Sequence, residues 1–200
     1  MIDDLATRPR GWPGKSQVAR LLAGLALFGA SIGLLIQADL GTGPWDVFHQ
    51  GIARRTELPL GWVVVLMSAV VLLLWVPLRQ RPGLGTVANV LLVGVALDLS
   101  LLVLPAPDAL AWRGVFLAAG VLLHGVGIGL YIGAGLGAGP RDGLMTGLAA
   151  RGLSIRRART SIELVVLGGG WLLGGTVGIG TLVYACTIGP LAQRFIPADA

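Results

Sequence analysis

Leu40-Gly41-Thr42-Gly43-Pro44-Trp45-Asp46 occurs a second time, as Leu136-Gly137-Ala138-Gly139-Pro140-Arg141-Asp142. Sliding the chain against itself by about 96 positions extends the match well past the motif, which is the mark of an internal repeat. Gly24 falls on Gly120, Gly29 on Gly125, Ile32-Gly33-Leu34 on Ile128-Gly129-Leu130, and Ala38 on Ala134. Beyond it, Gly51, Ala53 and Arg55 fall on Gly147, Ala149 and Arg151, and Trp75 falls on Trp171. After a one-residue slip, Gly83-Leu84-Gly85-Thr86 falls on Gly178-Ile179-Gly180-Thr181. The chain is two copies of one unit.

With 54% apolar residues, 12% charged residues and a mean hydropathy of +0.81, the sequence does not describe a water-soluble domain. Such a domain carries about twice the charge. Crossing a hydrocarbon core takes about 20 apolar residues, and runs of this kind cover about 21–38, 61–78, 84–104, 113–134, 160–176 and 178–196. The expected fold is therefore all-α, a polytopic membrane protein of six transmembrane helices. Residues 1–20 read as a cytoplasmic tail and 21–196 as a single transmembrane domain, with repeat 1 about 21–104 and repeat 2 about 113–196. A basic stretch before the first run resembles a signal peptide. That run is the repeat partner of 118–134, however, so its removal would discard half of a matched pair.

The net charge of +5 does not indicate nucleic acid, because the basic residues are placed by topology. With the N-terminus in the cytoplasm, Arg8, Arg10, Lys15, Arg20, Arg79, Arg81, Arg141, Arg151, Arg156, Arg157, Arg159 and Arg194 fall inside, and only Arg54, Arg55 and Arg113 fall outside. This follows the positive-inside rule with both termini cytoplasmic. The expected partners are the lipid bilayer, with anionic lipid at the basic cytoplasmic segments, an unidentified small solute, and a second copy of the chain in a homodimer.

Each copy holds three spans, an odd number, so the second copy enters the membrane from the opposite side. Inverted three-helix repeats of this kind are common among secondary transporters. About twenty residues separate the first and second spans of each copy, more than a simple turn needs. Pro44 and Pro140 suit the first turn of a helix, where the missing N–H has no intrahelical partner. Gly43 and Gly139 then cap it, and Asp46 and Asp142 face the positive end of its dipole. Each motif thus predicts a short helix running to about Arg55 or Arg151, with Trp45, Phe48 and Ile52, or Leu144, Met145 and Leu148, on its apolar side. Two geometries are open. Re-entrant, broken helices would aim their N-termini at a common interior site; interfacial helices would reduce the motif to turn-and-cap chemistry.

The spaced glycines Gly24, Gly29, Gly33 and Gly120, Gly125, Gly129 predict close helix packing, with the first and fourth spans as a central pair. Asp98 and His124 lie within spans, where ionisable groups are costly and mark candidate proton carriers; a satisfied core role for His124 is the alternative. Glu163 is placed to pair with Arg159 at i, i+4. Cys186 is expected as a small buried apolar residue. No Cys/His spacing suggests zinc or another metal site, and neither glycine motif carries the lysine of a phosphate loop. No cofactor is expected.

The GxGPWD motif at Gly41 to Asp46 and its echo GxGPRDGL at Gly137 to Leu144 resemble the small bacterial integral membrane proteins of the YczE/YyaS/YitT type, the YczE branch in particular. The likeness covers about Ala19 to Phe195. It implies a multi-span plasma-membrane protein, often presumed to be a transporter, and supplies no ligand set. The expected function is a small-solute permease and not an enzyme. Gly41, Gly43, Pro44, Asp46, Gly137, Gly139, Pro140 and Asp142 are its candidate substrate-binding residues, and Asp98 and His124 its candidate proton-coupling groups. The alternative is an accessory membrane subunit that binds solute and works with a separate energising partner.

Overall fold

A computed structural model describes residues 13–196. Among these residues the chain is all-helical: α1 (Lys15–Ala38), α2 (Pro44–Thr56), α3 (Leu60–Leu78), α4 (Leu84–Val103), α5 (Leu110–Gly133), α6 (Pro140–Ala149), α7 (Ile155–Leu172) and α8 (Ile179–Phe195). Four of them, α1, α3, α4 and α5, are long and apolar enough to cross a membrane. The protein is a polytopic membrane protein. Of the other two expected spans, α7 begins earlier than its apolar run and so takes in Arg156, Arg157 and Arg159, while α8 is only 17 residues long and contains Pro190. The first helix also starts early, at Lys15, which draws part of the expected tail into α1; residues 1–12 of that tail lie outside the described residues.

Both short helices form where the motif predicts. Gly43 and Gly139 are the N-caps in extended conformation, Pro44 and Pro140 open the first turns, and Asp46 and Asp142 follow within them. The chain turns sharply just before each cap, with Gly41 at φ 99° and Gly137 at φ 122°. A side chain is disfavoured in that region of backbone space. Space excludes one as well, since a Cβ on Gly41 would meet Gly178 N at 2.5 Å and one on Gly137 would meet Gly83 Cα at 3.0 Å.

α1 and α5 form the central pair of the bundle. They cross where Gly24 and Gly127 face each other, so that a Cβ on either would sit about 3 Å from the other's carbonyl oxygen. Without a hydrophobic drive between helices in lipid, this close backbone approach maximises dispersion contacts. Gly29 and Gly33 of α1 then seat α4, at Val93, Ala96 and Ser100, while Gly125 and Gly129 of α5 seat α8, at Leu191 and Phe195. The main apolar cluster joins Leu21, Leu25, Phe28 and Ile32 of α1 with Val64, Val93, Leu97 and Tyr131 from the helices around it. Much of the outer surface is apolar, as lipid contact requires: Leu73, Val76, Leu102, Leu110, Val165 and Leu172 are all more than 60% exposed. Cys186 also lies exposed, not buried as its composition class suggested, because it falls on the outer face of α8.

The two copies exchange contacts. α2 packs mainly on α7 and α6 mainly on α3, so each short helix is held by a long helix of the other copy. The loops do the same: Gly85 N donates to Leu136 O at 2.7 Å, and its repeat counterpart Gly180 N donates to Leu40 O at 2.7 Å. At the far ends of the short helices, Arg55 Nε donates to Leu173 O at 3.4 Å and Arg151 donates to Pro77 O. Those two bonds join matched residues as well.

Candidate functional site

Because α2 and α6 are each packed into the opposite copy, their N-termini converge. Trp45 and Arg141 occupy the same position in the two motifs, and the Arg141 guanidinium lies 5.1 Å from the centroid of the Trp45 ring. Behind the ring, Arg141 Nη2 is 3.6 Å from Asp46 Oδ1 and 3.3 Å from His49 Nδ1. Asp46 and His49 are each only 2% exposed, so this cluster of charged and polar groups is withdrawn from solvent. The α6 start is held from its other side by α3, where Trp75 Nε1 donates to Pro140 O at 3.0 Å and the indole packs on Gly143.

A cavity of about 250 Å³ lies at this convergence. Its walls include Phe28 of α1, Trp45 of α2, Asn89 of α4, His124 and Tyr131 of α5, Arg141 and Asp142 of α6, Arg159 and Glu163 of α7, and Tyr184 of α8. Both tyrosines of the chain face it. Phe28 and His124 are repeat mates, like Trp45 and Arg141, and their rings lie 4.2 Å apart between centroids. Two pairs of matched residues therefore meet one another at the cavity.

His124 is held at both ring nitrogens. The Ser31 hydroxyl donates to Phe28 O at 2.6 Å, which uses its single hydrogen, so at 2.9 Å from His124 Nδ1 the Ser31 oxygen must accept. Nδ1 then carries the proton of a neutral ring, and Nε2 accepts from the Tyr184 hydroxyl at 2.9 Å. On the facing wall Tyr131 donates its hydroxyl to Asp142 Oδ2. Arg159 and Glu163 form the expected i, i+4 pair at 2.8 Å, and both line the cavity.

The sequence candidates separate into distinct surroundings. Gly139, Pro140 and Asp142 line the cavity. Gly41 and Gly137 instead seat the Gly178–Thr181 and Gly83–Thr86 turns of the opposite copy, Gly43 packs on the Tyr184 ring, and Pro44 is buried. Asp46 stands behind the wall and faces Arg141. His124 is on the wall, but Asp98 is not beside it: its Oδ1 accepts from Gly61 N at 2.7 Å, at the start of α3, and it borders a separate, largely apolar hollow with Trp62 and Leu91. The sequence reading passed over Arg141, Tyr131, Tyr184 and Asn89 as site residues. Arg141 carried one signal, a charge in the motif position where the other copy has Trp45; the tyrosines carried only their scarcity.

The arrangement offers a polar, partly charged chamber inside an apolar bundle. Among the described residues no group of three His, Cys, Asp or Glu side chains is placed to hold a metal ion. The family described as "Family of unknown function (DUF6198)" matches residues 15–197. The chain belongs to this family. It is 43% identical over 180 residues to an "Uncharacterized protein" of Haemophilus influenzae, covering 90% of this chain and 83% of that one. The "Uncharacterized membrane protein YczE" of Bacillus subtilis is 33% identical over 178 residues, 88% of this chain and 83% of its own length. "Uncharacterized protein YyaS" of the same organism is 30% identical over 181 residues, 87% of this chain and 89% of its own. The resemblance carried by the doubled motif therefore holds across most of the DUF6198 chain. No solved structure matches it.

Proposed function

We propose that this DUF6198 protein is a small-solute permease of the bacterial plasma membrane, with both termini cytoplasmic, and that its solute site is the cavity where α2 and α6 meet. The convergence of the two helix starts, one from each copy, carries this reading. Inverted repeats of secondary transporters place their sites at the repeat interface, beside helices broken within the membrane. Here the long helices of the two copies are α1, α3, α4 and α5, α7, α8, an odd number each, and the exchanged contacts between copies join matched residues. In this reading all six span, the repeats are inverted, and α2 and α6 are re-entrant: α2 runs from the interior to the outer surface at Arg54 and Arg55, α6 to the cytoplasmic surface at Arg151.

A cavity of about 250 Å³ lies just below the common range for ligand pockets, which suits a small solute. His124 is the proton-coupling candidate at the wall; Asp98, bound to the first turn of α3, anchors that helix. The cavity reaches Gln193 and Ile196 near the end of α8, which in this reading is the cytoplasmic end of that helix.

Reconstitution into proteoliposomes tests the reading. Uptake or efflux of labelled small solutes is followed with and without a pH gradient, for the wild type and the Asp46→Asn, Asp142→Asn double variant. Wild-type flux above empty vesicles, reduced at least tenfold in the variant, is expected. Equal flux in both sinks the site, and a folded wild type that binds a solute without moving it returns the reading to the accessory-subunit alternative.

A further inference from the structure

The charges around the cavity do not cancel. Arg141 is paired with Asp46, and Arg159 with Glu163. Asp142 is a third carboxylate to two arginines: among the described residues no basic group lies within 4.0 Å of it, although Arg141 and Arg159 act on it from farther off, and it accepts from the Tyr131 hydroxyl and the Gly139 backbone. In an apolar bundle such a carboxylate is offset by a bound cation or by a proton.

The wall beside it supplies the other half of a cation site. Phe28, Tyr131, His124 and Tyr184 form a continuous aromatic surface, with centroids 6.0 Å apart for Phe28–Tyr131, 4.2 Å for Phe28–His124 and 5.2 Å for His124–Tyr184. The negative faces of such rings attract ammonium groups, best where water is excluded. The fixed tautomer of His124 matters here. Because Tyr184 gives its proton to Nε2, its oxygen has only lone pairs left to offer to the cavity. Trp45 also lines the cavity and is 8% exposed, with Arg141 over its ring.

We infer that the cavity binds a small organic cation, its ammonium group set between the Asp142 carboxylate and the Phe28–Tyr131–Tyr184 aromatic surface. This rests on the reading of the cavity as the solute site and names the class of solute it takes. An anion is disfavoured because both cavity arginines already face carboxylates and Asp142 would repel it.

Calorimetric titration of the purified full chain in a nonionic detergent tests it with three probes: tetramethylammonium, glycine betaine and acetate. Both ammonium compounds are expected to bind, and acetate not at all. Asp142→Asn should weaken tetramethylammonium binding at least tenfold and Phe28→Leu several-fold, with thermal unfolding used to confirm that each variant is folded. If Asp142→Asn does not fold, the probe order in the wild type and the Phe28→Leu variant decide. Acetate binding in preference to the ammonium compounds, no heat from either ammonium compound, or unchanged affinity in a folded Asp142→Asn variant overturns the inference. Binding does not depend on flux, so ammonium binding without transport refutes the permease reading alone, and transport of another solute without ammonium binding refutes only this one.

Discussion

Arg141 and Asp46 belong to the first turns of two different short helices, yet their side chains approach to 3.6 Å, with Asp46 2% exposed. The contact fastens the two copies to each other at the cavity. Removing one partner of a buried pair leaves an uncompensated charge, at a cost of about 3–5 kcal/mol. Arg141→Met is therefore expected to lower the thermal unfolding temperature markedly in detergent, and adding Asp46→Asn to recover much of the loss. Additive losses in the double variant would show that the pair is not coupled.

The His124 clamp is a second coupled unit. Tyr184→Phe leaves Nε2 without its donor, and Ser31→Ala leaves the Nδ1 proton without its acceptor; each should cost about 1–3 kcal/mol. Together they should cost less than the sum, because both act through one ring. Unfolding of the two single variants and the double variant measures this.

Glycine positions should respond according to what surrounds them. Gly41→Ala and Gly137→Ala force a Cβ into positive φ and against the opposite copy, with an expected loss of at least about 1–3 kcal/mol each. Gly168→Ala and Gly114→Ala meet nothing within 4 Å and, being helical, should be neutral or stabilising by up to about 1 kcal/mol. Expression yield and unfolding temperature of the four variants separate the classes.

Topology can be read by labelling. In a Cys186→Ser background, Glu57→Cys at the end of α2 should react with an impermeant thiol reagent in intact cells. Arg156→Cys at the start of α7 should react only after permeabilisation. Reaction of both from the same side would rule out inverted repeats with six spans.

Much of the architecture is local in origin and so could be read from the chain. Apolar runs near the length of a bilayer specify helices in lipid, where every backbone polar group must be satisfied within the segment. The Gly-Pro-x-Asp order specifies a capped helix start wherever it occurs, and Gly43 and Gly139 cap α2 and α6 as that order requires. Spaced glycines predicted the α1–α5 pair because small residues act through one helix face. Where local rules competed, the reading slipped: Arg156 to Arg159 read as a surface segment but belong to α7, because the Ser154 side chain caps a helix there, accepting from Arg157 N.

The site was much less legible. Asp98 and His124 were grouped because each is ionisable within a span, but three-dimensional packing sends Asp98 to the backbone of Gly61 and His124 to Ser31 and Tyr184.

By itself the sequence determined that this is a helical membrane protein made of two copies of one unit, each with a capped short helix after its first long one. Hydropathy and caps act within a few turns of chain, and the duplication is read by comparing the chain with itself. Only the tertiary structure decided that the short helices are exchanged between copies, that Trp45 meets Arg141 and Phe28 meets His124, and that Asp142 stands beside an aromatic wall as a third carboxylate to two arginines. Those are contacts between different helices, fixed by how the helices pack and not by the order of residues along any one of them.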